Sequence, residues 1–274
     1  MLLSFIIPTK NEESNIERIL KSIFINKYFQ KDQSEVIVVD NIGTTDKTRE
    51  IVGNYPVKLF IIGPERSSQR NYGASQASGD YLVFLDADME VTEDLFQEII
   101  KLTESAKANS KKLSFIIPER IPGDKIYTRA RDIEKQVYIG NRKISASRIF
   151  PRDWFEQSGG FDIGMISGED WELDRRFLRE GGQNEFTQNH LLHHEEGLDL
   201  IKSVSKKIYY AKNIKNYKIG IQTEVNPLYR ILILFSKPAL IFKQPLAFCY
   251  LIVLKLSEFG AGFAAYVLNR LTAK

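Results

Sequence analysis

Apolar runs of strand length alternate with segments of helical periodicity along the first 118 residues, and this alternation constrains the fold most strongly. The strand-like runs are 2–8, 35–40, 57–62, 81–85 and 113–118. The helix-like segments between them are 15–25, 47–52, 67–77 and 92–107. Strands separated by helices pair in parallel, because the chain crosses over before it returns to the sheet. We therefore predict an α/β protein with a doubly wound, mostly parallel sheet.

Three predicted strands end in polar side chains. The segment from Pro8 to Glu12 follows the first strand, Asp40 ends the second, and Asp86-Ala87-Asp88 follows the fourth. The carboxyl ends of parallel strands share one edge of the sheet, where open α/β sheets bind ligands. Because charge at the end of a buried strand needs compensation, a divalent cation carrying a diphosphate is the leading candidate ligand.

The absence of several motifs argues against other classes of site. Neither the Gly-x-Gly-x-x-Gly of dinucleotide enzymes nor the Gly-rich Lys-Ser/Thr loop of P-loop nucleotidases follows the first strand, and no His-Glu-x-x-His zinc helix is present. The single cysteine, Cys249, excludes an internal disulfide framework and a cysteine-based zinc site. We interpret the N-terminus as the first strand and not as a signal peptide.

The order and approximate spacing of the polar motifs resemble glycosyltransferase family 2, the nucleotide-sugar-dependent enzymes of the GT-A fold. The resemblance spans residues 2–200. The motifs that carry it are Ser4-Phe5-Ile6-Ile7-Pro8-Thr9-Lys10-Asn11-Glu12-Glu13, Val36-Ile37-Val38-Val39-Asp40, Arg70-Asn71-Tyr72-Gly73 with Ala77-Ser78-Gly79-Asp80, Leu85-Asp86-Ala87-Asp88 and Gly168-Glu169-Asp170. The resemblance implies an inverting transferase that uses Mn²⁺ or Mg²⁺.

The resemblance also implies roles for individual residues. Asp88 coordinates the metal, and Asp86 contacts the ribose or base side of the donor. The donor-binding set that we predict is Pro8, Thr9, Asn11, Glu12, Asp40, Arg70, Asp86, Ala87 and Asp88. The structural alternatives are a solvated turn for the two aspartates, a helix-start charge for Glu12 and an exposed helix face for Arg70.

Asp170 is the predicted general base, since the acceptor hydroxyl must lose a proton as it attacks. Glu169 is predicted to orient the acceptor or to share charge with a cation. The alternative for both residues is that they form the exposed acidic start of the helix 171–179.

Family members often carry a metal-binding histidine after this helix. The alternation of inward and outward side chains along a strand does not decide between His193 and His194. The alternative is that both lie at a surface strand end and bind no metal.

One position departs from the family pattern. The family often has a second acid after Asp40, where this chain has Asn41. The donor base therefore stays open: a UDP-sugar is favoured, and GDP or dTDP is possible. The segment 119–150 is polar and basic, and we expect it to be a mobile loop over the crevice.

The net charge of +3 conceals a division of the chain. Residues 1–199 carry 26 Lys and Arg against 33 Asp and Glu, a net charge of −7, whereas residues 200–274 carry 12 against 2, a net charge of +10. We predict a catalytic domain (1–200), a basic connecting segment (201–224) and apolar helices (225–274). Charges such as Lys255 interrupt any simple span, so helices lying in an anionic membrane surface fit better than spanning ones.

Further expectations depend on this C-terminal segment. A membrane-bound transferase is expected to use a lipid-linked or glycan acceptor, to act in cell-envelope glycan synthesis, and to lie at the cytoplasmic face as a peripheral or monotopic protein. There are three alternative arrangements for the C-terminal helices. They could form a pair of tilted spanning helices, pack on the catalytic body, or form a homodimer interface.

Two other functions are considered for the protein: a nucleotidyltransferase and a non-catalytic nucleic-acid- or membrane-binding protein. The absence of a binding motif argues against a nucleic-acid partner.

Overall fold

The computed structural model describes residues 3–165, 168–195, 197–212 and 227–272. The chain divides into two compact units. The first unit consists of residues 1–119, 146–163 and 169–193, and the second of residues 120–145, 164–168 and 194–274. The predicted division into catalytic domain, connecting segment and C-terminal helices stays a prediction.

Ten strands are present in the described residues: β1 (Leu3–Thr9), β2 (Ser34–Asp40), β3 (Lys58–Ile61), β4 (Tyr81–Phe84), β5 (Met89–Val91), β6 (Leu113–Ile116), β7 (Glu119–Arg120), β8 (Ile149–Pro151), β9 (Gln183–Phe186) and β10 (Leu191–His193). The helices described are α1 (Ile16–Phe24), α2 (Thr48–Val52), α3 (Arg66–Ser75), α4 (Glu93–Ala108), α5 (Ile126–Tyr138), α6 (Arg152–Gln157), α7 (Glu169–Arg179), α8 (Leu200–Lys212), α9 (Pro227–Ile233), α10 (Pro238–Lys243) and α11 (Pro245–Thr272).

Seven strands form the main sheet, in the order β3-β2-β1-β4-β8-β6-β9. The pairs β1–β2, β2–β3, β1–β4 and β6–β9 are parallel, and β8 runs antiparallel to both of its neighbours. The predicted α/β fold with a mostly parallel sheet is therefore confirmed. A second, three-stranded sheet has the order β5-β10-β7.

Apolar side chains cover both faces of the main sheet, which is why its central strands are almost continuously apolar. In β1, Phe5 and Ile7 belong to one core cluster and Ile6 to the other. The helix α3 packs closely against the Ile6 face because Gly73 has no side chain. A Cβ atom at Gly73 would lie 2.6 Å from Cγ2 of Ile6.

The structure corrects the expectation for 119–150. This segment is not a single mobile loop, because it contains the helix α5 and the start of the strand β8. Buried positions of α5, such as Ala130, Ile133 and Val137, recur at helical spacing between charged residues. The charged residues mask the periodicity in the sequence.

In the second unit, the helix α11 packs on α5 and α8. Its residues Ala247, Phe248 and Leu251 share a core cluster with apolar residues of α5. The charges at Lys255 and Glu258 do not interrupt the helix, since Lys255 Nζ pairs with Glu258 (2.8 Å) and with Glu134 of α5 (2.7 Å). By length and composition alone, Pro245–Ala265 could cross a membrane. Residues 213–224 of the predicted basic connecting segment lie outside the described residues.

Candidate active site

Asp40 lies at the end of β2 as a fully buried carboxylate with both oxygens held by protein groups. Its Oδ1 accepts hydrogen bonds from the hydroxyls of Thr9 (2.7 Å) and Thr44 (2.8 Å), and its Oδ2 accepts one from Nε of Arg49 at 2.7 Å. A buried carboxylate is stable when it is paired and hydrogen-bonded in this way. Asp40 therefore fixes the loop after β2, and its contact with a donor stays a prediction.

Asn41 ties this loop to the one that follows β3. Its side-chain amide donates to the carbonyl oxygen of Pro64 at 2.7 Å, and its Oδ1 accepts from the backbone N–H of Gly43 at 2.9 Å. An aspartate at position 41 would have no donor for Pro64. The departure from the family pattern thus has a local structural reason.

Asp86 follows β4 and lies between two arginines. Its Oδ1 accepts from an amino group of Arg70 at 2.8 Å, and its Oδ2 lies 3.5 Å from an amino group of Arg148. Burial alone would raise the pKa of Asp86, but the positive charges of Arg70, Arg148 and Arg66 outweigh it and hold the pKa well below its usual range. Asp86 is therefore a permanent anion at physiological pH.

Arg70 of α3 connects Asp86 to the start of α7. Its second amino group donates to Oδ1 of Asp170 at 3.0 Å and to Oε1 of Glu169 at 3.2 Å. The Arg70 side chain is 1% exposed, and its guanidinium lies 5.3 Å from the ring centroid of Phe161. The alternative of an exposed helix face for Arg70 is therefore wrong, because three carboxylates surround a buried guanidinium.

Glu169 and Asp170 differ in their access to solvent. The Asp170 side chain is 46% exposed, whereas Glu169 is buried. Burial, together with the negative charge of Asp170, raises the pKa of Glu169 to about 7, although the positive charge of Arg70 opposes the shift. Glu169 thus has a pKa close to neutral pH, and Asp170 has the access that a second substrate requires.

Asp88 and His193 meet because β10 pairs with β5, with His193 opposite Met89. Nε2 of His193 lies 3.2 Å from Oδ2 of Asp88. The other carboxylate oxygen of Asp88, Oδ1, is buried and has no hydrogen-bond partner in the part of the chain that the structure describes. His193 is thus the histidine that contacts Asp88, while His194 follows the end of β10.

Glu12 completes the acidic group. Burial and the negative charges of Asp88 and Asp86 raise its pKa, although a hydrogen bond that Asn15 donates to its Oε2 at 2.9 Å opposes the shift. Its neighbour Asn11 has a left-handed backbone, with φ at 55°, and accepts a hydrogen bond from the backbone of the loop after β2.

The remaining predicted residues lie in or beneath the sheet edge. Pro8 and Thr9 end β1 and are buried, and the side chain of Ala87 belongs to the core cluster below Asp86. The Ala87 side chain is therefore not available to a ligand, and any donor contact there would come from its backbone.

Two site residues were missed in the sequence. Arg148 precedes β8 and contacts Asp86, while Glu119 begins β7 and lies 2.9 Å from Nδ1 of His193. Both fall in the segment expected to be a loop. The one available signal was that Arg148 stands directly before the apolar pair Ile149-Phe150.

Comparison with known proteins finds glycosyltransferases that are similar to this chain. Residues 4–110 match the family model "Glycosyl transferase family 2". The chain is 28% identical over 190 residues to the glycosyltransferase AglE of Haloferax volcanii, which covers 65% of this chain and 62% of that protein. It is 34% identical over 106 residues to a dolichol-phosphate mannosyltransferase of Pyrococcus furiosus, covering 37% of this chain and 30% of that protein.

A solved structure with the same fold is that of Staphylococcus aureus TarS 1-349 in complex with UDP. It aligns with 99% of this chain and 92% of that chain, with a TM-score of 0.54 and 16% sequence identity. These matches confirm the predicted resemblance to glycosyltransferase family 2 and the predicted GT-A architecture. The chain spans less than two thirds of the length of the curated relatives described above.

Proposed function

We propose that this chain, whose residues 4–110 match glycosyltransferase family 2, moves a sugar from a nucleoside-diphosphate sugar to an acceptor. The observation that carries the proposal is the acidic group at the carboxyl edge of the sheet. There Arg70 bonds both Asp86 and Asp170, so a donor-side carboxylate and an acceptor-side carboxylate share one buried guanidinium. Such an arrangement fixes the relative positions of two substrates, which is the main requirement for a transfer reaction.

A divalent ion fits the residues around Asp88. The described part of the chain contains no group of three or more His, Cys, Asp or Glu side chains that could hold a metal alone. Mg²⁺ commonly binds one or two carboxylates and takes its other ligands from substrate phosphates and water. The buried Oδ1 of Asp88, which has no hydrogen-bond partner among the described residues, is an acceptor that such an ion would satisfy. Nε2 of His193 lies 3.2 Å from the other oxygen, Oδ2.

We therefore assign Mn²⁺ or Mg²⁺ to Asp88 and His193. When bound, the ion would neutralise the charge that develops on the departing nucleoside diphosphate. The protein residues do the rest: Asp86 and Glu12 present carboxylates to the nucleotide side, and the buried Asp40 holds the loop that borders it. We favour a UDP-sugar as donor, and the fold that this chain shares with UDP-bound TarS supports this choice.

Asp170 is the general base in this proposal. It takes the proton of the acceptor hydroxyl as the oxygen attacks the anomeric carbon from the face opposite the diphosphate, so the configuration inverts. The bond from Arg70 orients the Asp170 carboxylate and lowers its mobility. Glu169 has a pKa near neutral but is buried, so we assign it to the support of Asp170 and Arg70.

A lipid-linked or glycan acceptor is proposed from the relatives and from the second unit. Relatives whose names specify a dolichol-phosphate or dolichyl-phosphate substrate include the Pyrococcus furiosus protein described above. In α11, exposed residues recur at alternating intervals of three and four positions, at Leu246, Cys249, Val253, Leu256, Gly260 and Phe263. We propose that this apolar stripe contacts an anionic membrane surface at its cytoplasmic face.

The other face of α11 favours a helix that lies on the membrane over one that crosses it. Lys255 and Glu258 are buried there, and Lys255 bonds to Glu134 of the strongly charged helix α5. If α11 crossed the membrane, the charged side chains of α5 would enter the lipid, which is energetically unfavourable. A coiled-coil homodimer through the same stripe is less favoured, since Ile252 and Phe259 flank it where coiled coils place charged residues.

Nucleotide binding tests the proposed donor. We expect the thermal midpoint of the full chain to rise with UDP or a UDP-sugar in the presence of Mn²⁺, since ligands that bind only the folded state stabilise it by mass action. GDP and dTDP serve as comparisons for the base. If no nucleoside diphosphate raises the midpoint with or without Mn²⁺, the proposal fails. A nucleotidyltransferase would instead respond to nucleoside triphosphates.

A further inference from the structure

Glu119 occupies a central place in the hydrogen bonding around the two aspartates. Its Oε2 lies 2.9 Å from Nδ1 of His193, and its Oε1 accepts from an amino group of Arg148 at 2.7 Å. The Glu119 side chain is 12% exposed. It therefore makes both contacts in surroundings with little competing water, where charge-assisted hydrogen bonds are strong.

The two partners of Glu119 lead to different members of the aspartate pair. His193 uses its other nitrogen, Nε2, to approach Asp88 at 3.2 Å. Arg148 uses its other amino group to approach Asp86 at 3.5 Å. A single carboxylate is thus linked to Asp86 through one cation and to Asp88 through one imidazole.

We propose that Glu119 is a positioning residue that fixes the His193 ring and, through Arg148, the Asp86 carboxylate. The inference rests on the metal dependence proposed above. An ionised carboxylate can only accept hydrogen bonds, and an arginine can only donate them. The proton between Glu119 and His193 therefore belongs to Nδ1 of His193, which leaves Nε2 as the nitrogen that can bind a cation.

The chemistry follows a general feature of histidine ligands. A metal-binding imidazole usually donates its second N–H to a carboxylate or carbonyl, which sets the tautomer and ring orientation, and removal of that partner typically costs 10–100-fold in metal affinity. Glu119 meets this requirement for His193, and the hydrogen bond from Arg148 holds the Glu119 carboxylate in place. The assignment adds to the predicted site a residue that does not touch the metal, donor or acceptor.

The Glu119→Gln variant tests the inference. A glutamine can either accept from or donate to Nδ1, so it no longer fixes the tautomer. We expect Mn²⁺ affinity in the presence of UDP, measured from the free-ion EPR signal, to fall about 10–100-fold. Glu185→Gln is the matched control, because Glu185 is exposed on β9, and its Mn²⁺ affinity should equal that of the unmodified protein.

The possible results of these Mn²⁺-binding measurements lead to different conclusions. If the unmodified protein binds no Mn²⁺ with UDP, the proposed metal dependence fails. If it binds Mn²⁺ and Glu119→Gln binds equally well, the role of Glu119 is refuted. If the variant does not fold, histidine ring-nitrogen NMR of the unmodified protein with Mg²⁺ and UDP decides the matter, since the chain has only three histidines. An Nδ1–H tautomer supports the inference for His193, and an Nε2–H tautomer contradicts it.

Discussion

Replacing Glu169 by glutamine should stabilise the protein, and by an amount that depends on pH. Burial and the charge of Asp170 raise the pKa of Glu169 from 4.5 to about 7 in the folded protein. Below pH 4.5 the carboxyl is protonated in both folded and unfolded chains, so it does not lower the free energy of unfolding. Between 4.5 and 7 the unfolded chain ionises first, and the folded state loses stability relative to it as the pH rises.

The size of the effect follows from the same shift. Each pKa unit corresponds to about 1.4 kcal/mol, so the wild-type protein carries a penalty of about 3 kcal/mol above pH 7. Glutamine carries no charge and keeps an oxygen that can accept the bond from Arg70. Glu169→Gln should therefore match the wild-type stability near pH 4.5 and exceed it by up to about 3 kcal/mol at pH 8.

Urea unfolding of both proteins between pH 4.5 and 8 measures this difference. The exposed Glu185→Gln variant is the control and should show a difference close to zero throughout. A Glu169→Gln difference that stays constant with pH, or that becomes destabilising as the pH rises, would refute the reasoning about burial at Glu169.

Three further predictions concern other parts of the molecule. Asp170→Asn should lower kcat about 10²–10⁴-fold while donor affinity by calorimetry stays within about threefold; a comparable loss of donor affinity would move Asp170 to the donor site. Asn41→Asp should lower the free energy of unfolding by about 0.5–1.5 kcal/mol, since the Pro64 carbonyl loses the partly buried hydrogen bond that the Asn41 amide donates. The exposed Asn54→Asp is its control in urea titrations, and equal stabilities would contradict the assigned bond. Leu256→Glu should reduce flotation with anionic vesicles about tenfold, while Leu178→Glu, on an exposed leucine of α7, should not; sedimentation as a dimer without any flotation would favour the homodimer.

The parallel part of the sheet could be predicted because its signal is local. β1, β2 and β4 are buried along their whole length or nearly so, and each apolar run coincides with one strand. The spacing of polar residues at strand ends then predicts one shared edge. The structure places Asp86, Asp88 and Glu12 close enough for their charges to shift the pKa of Glu12.

The partners of these residues could not be predicted, because they come from distant parts of the chain. Arg148 contacts Asp86 from the position just before the antiparallel strand β8, and that strand has only three residues and no clear periodicity. Lys255 looked like an interruption of an apolar helix, yet it is buried against Glu134, more than a hundred residues earlier. Local pattern identifies strands and charges, whereas pairing between charges depends on tertiary packing.

The most direct test of the proposed function is the metal dependence of sugar transfer by the wild-type protein and Asp88→Ala. Transfer from a UDP-sugar to a lipid-linked acceptor should require Mn²⁺ or Mg²⁺ and stop when EDTA is added. The variant should keep the wild-type circular dichroism spectrum and lose at least about a hundredfold in turnover, as expected when a metal ligand is removed. Transfer that persists in EDTA, or that proceeds at the wild-type rate in Asp88→Ala, would contradict the assignment of the metal to Asp88.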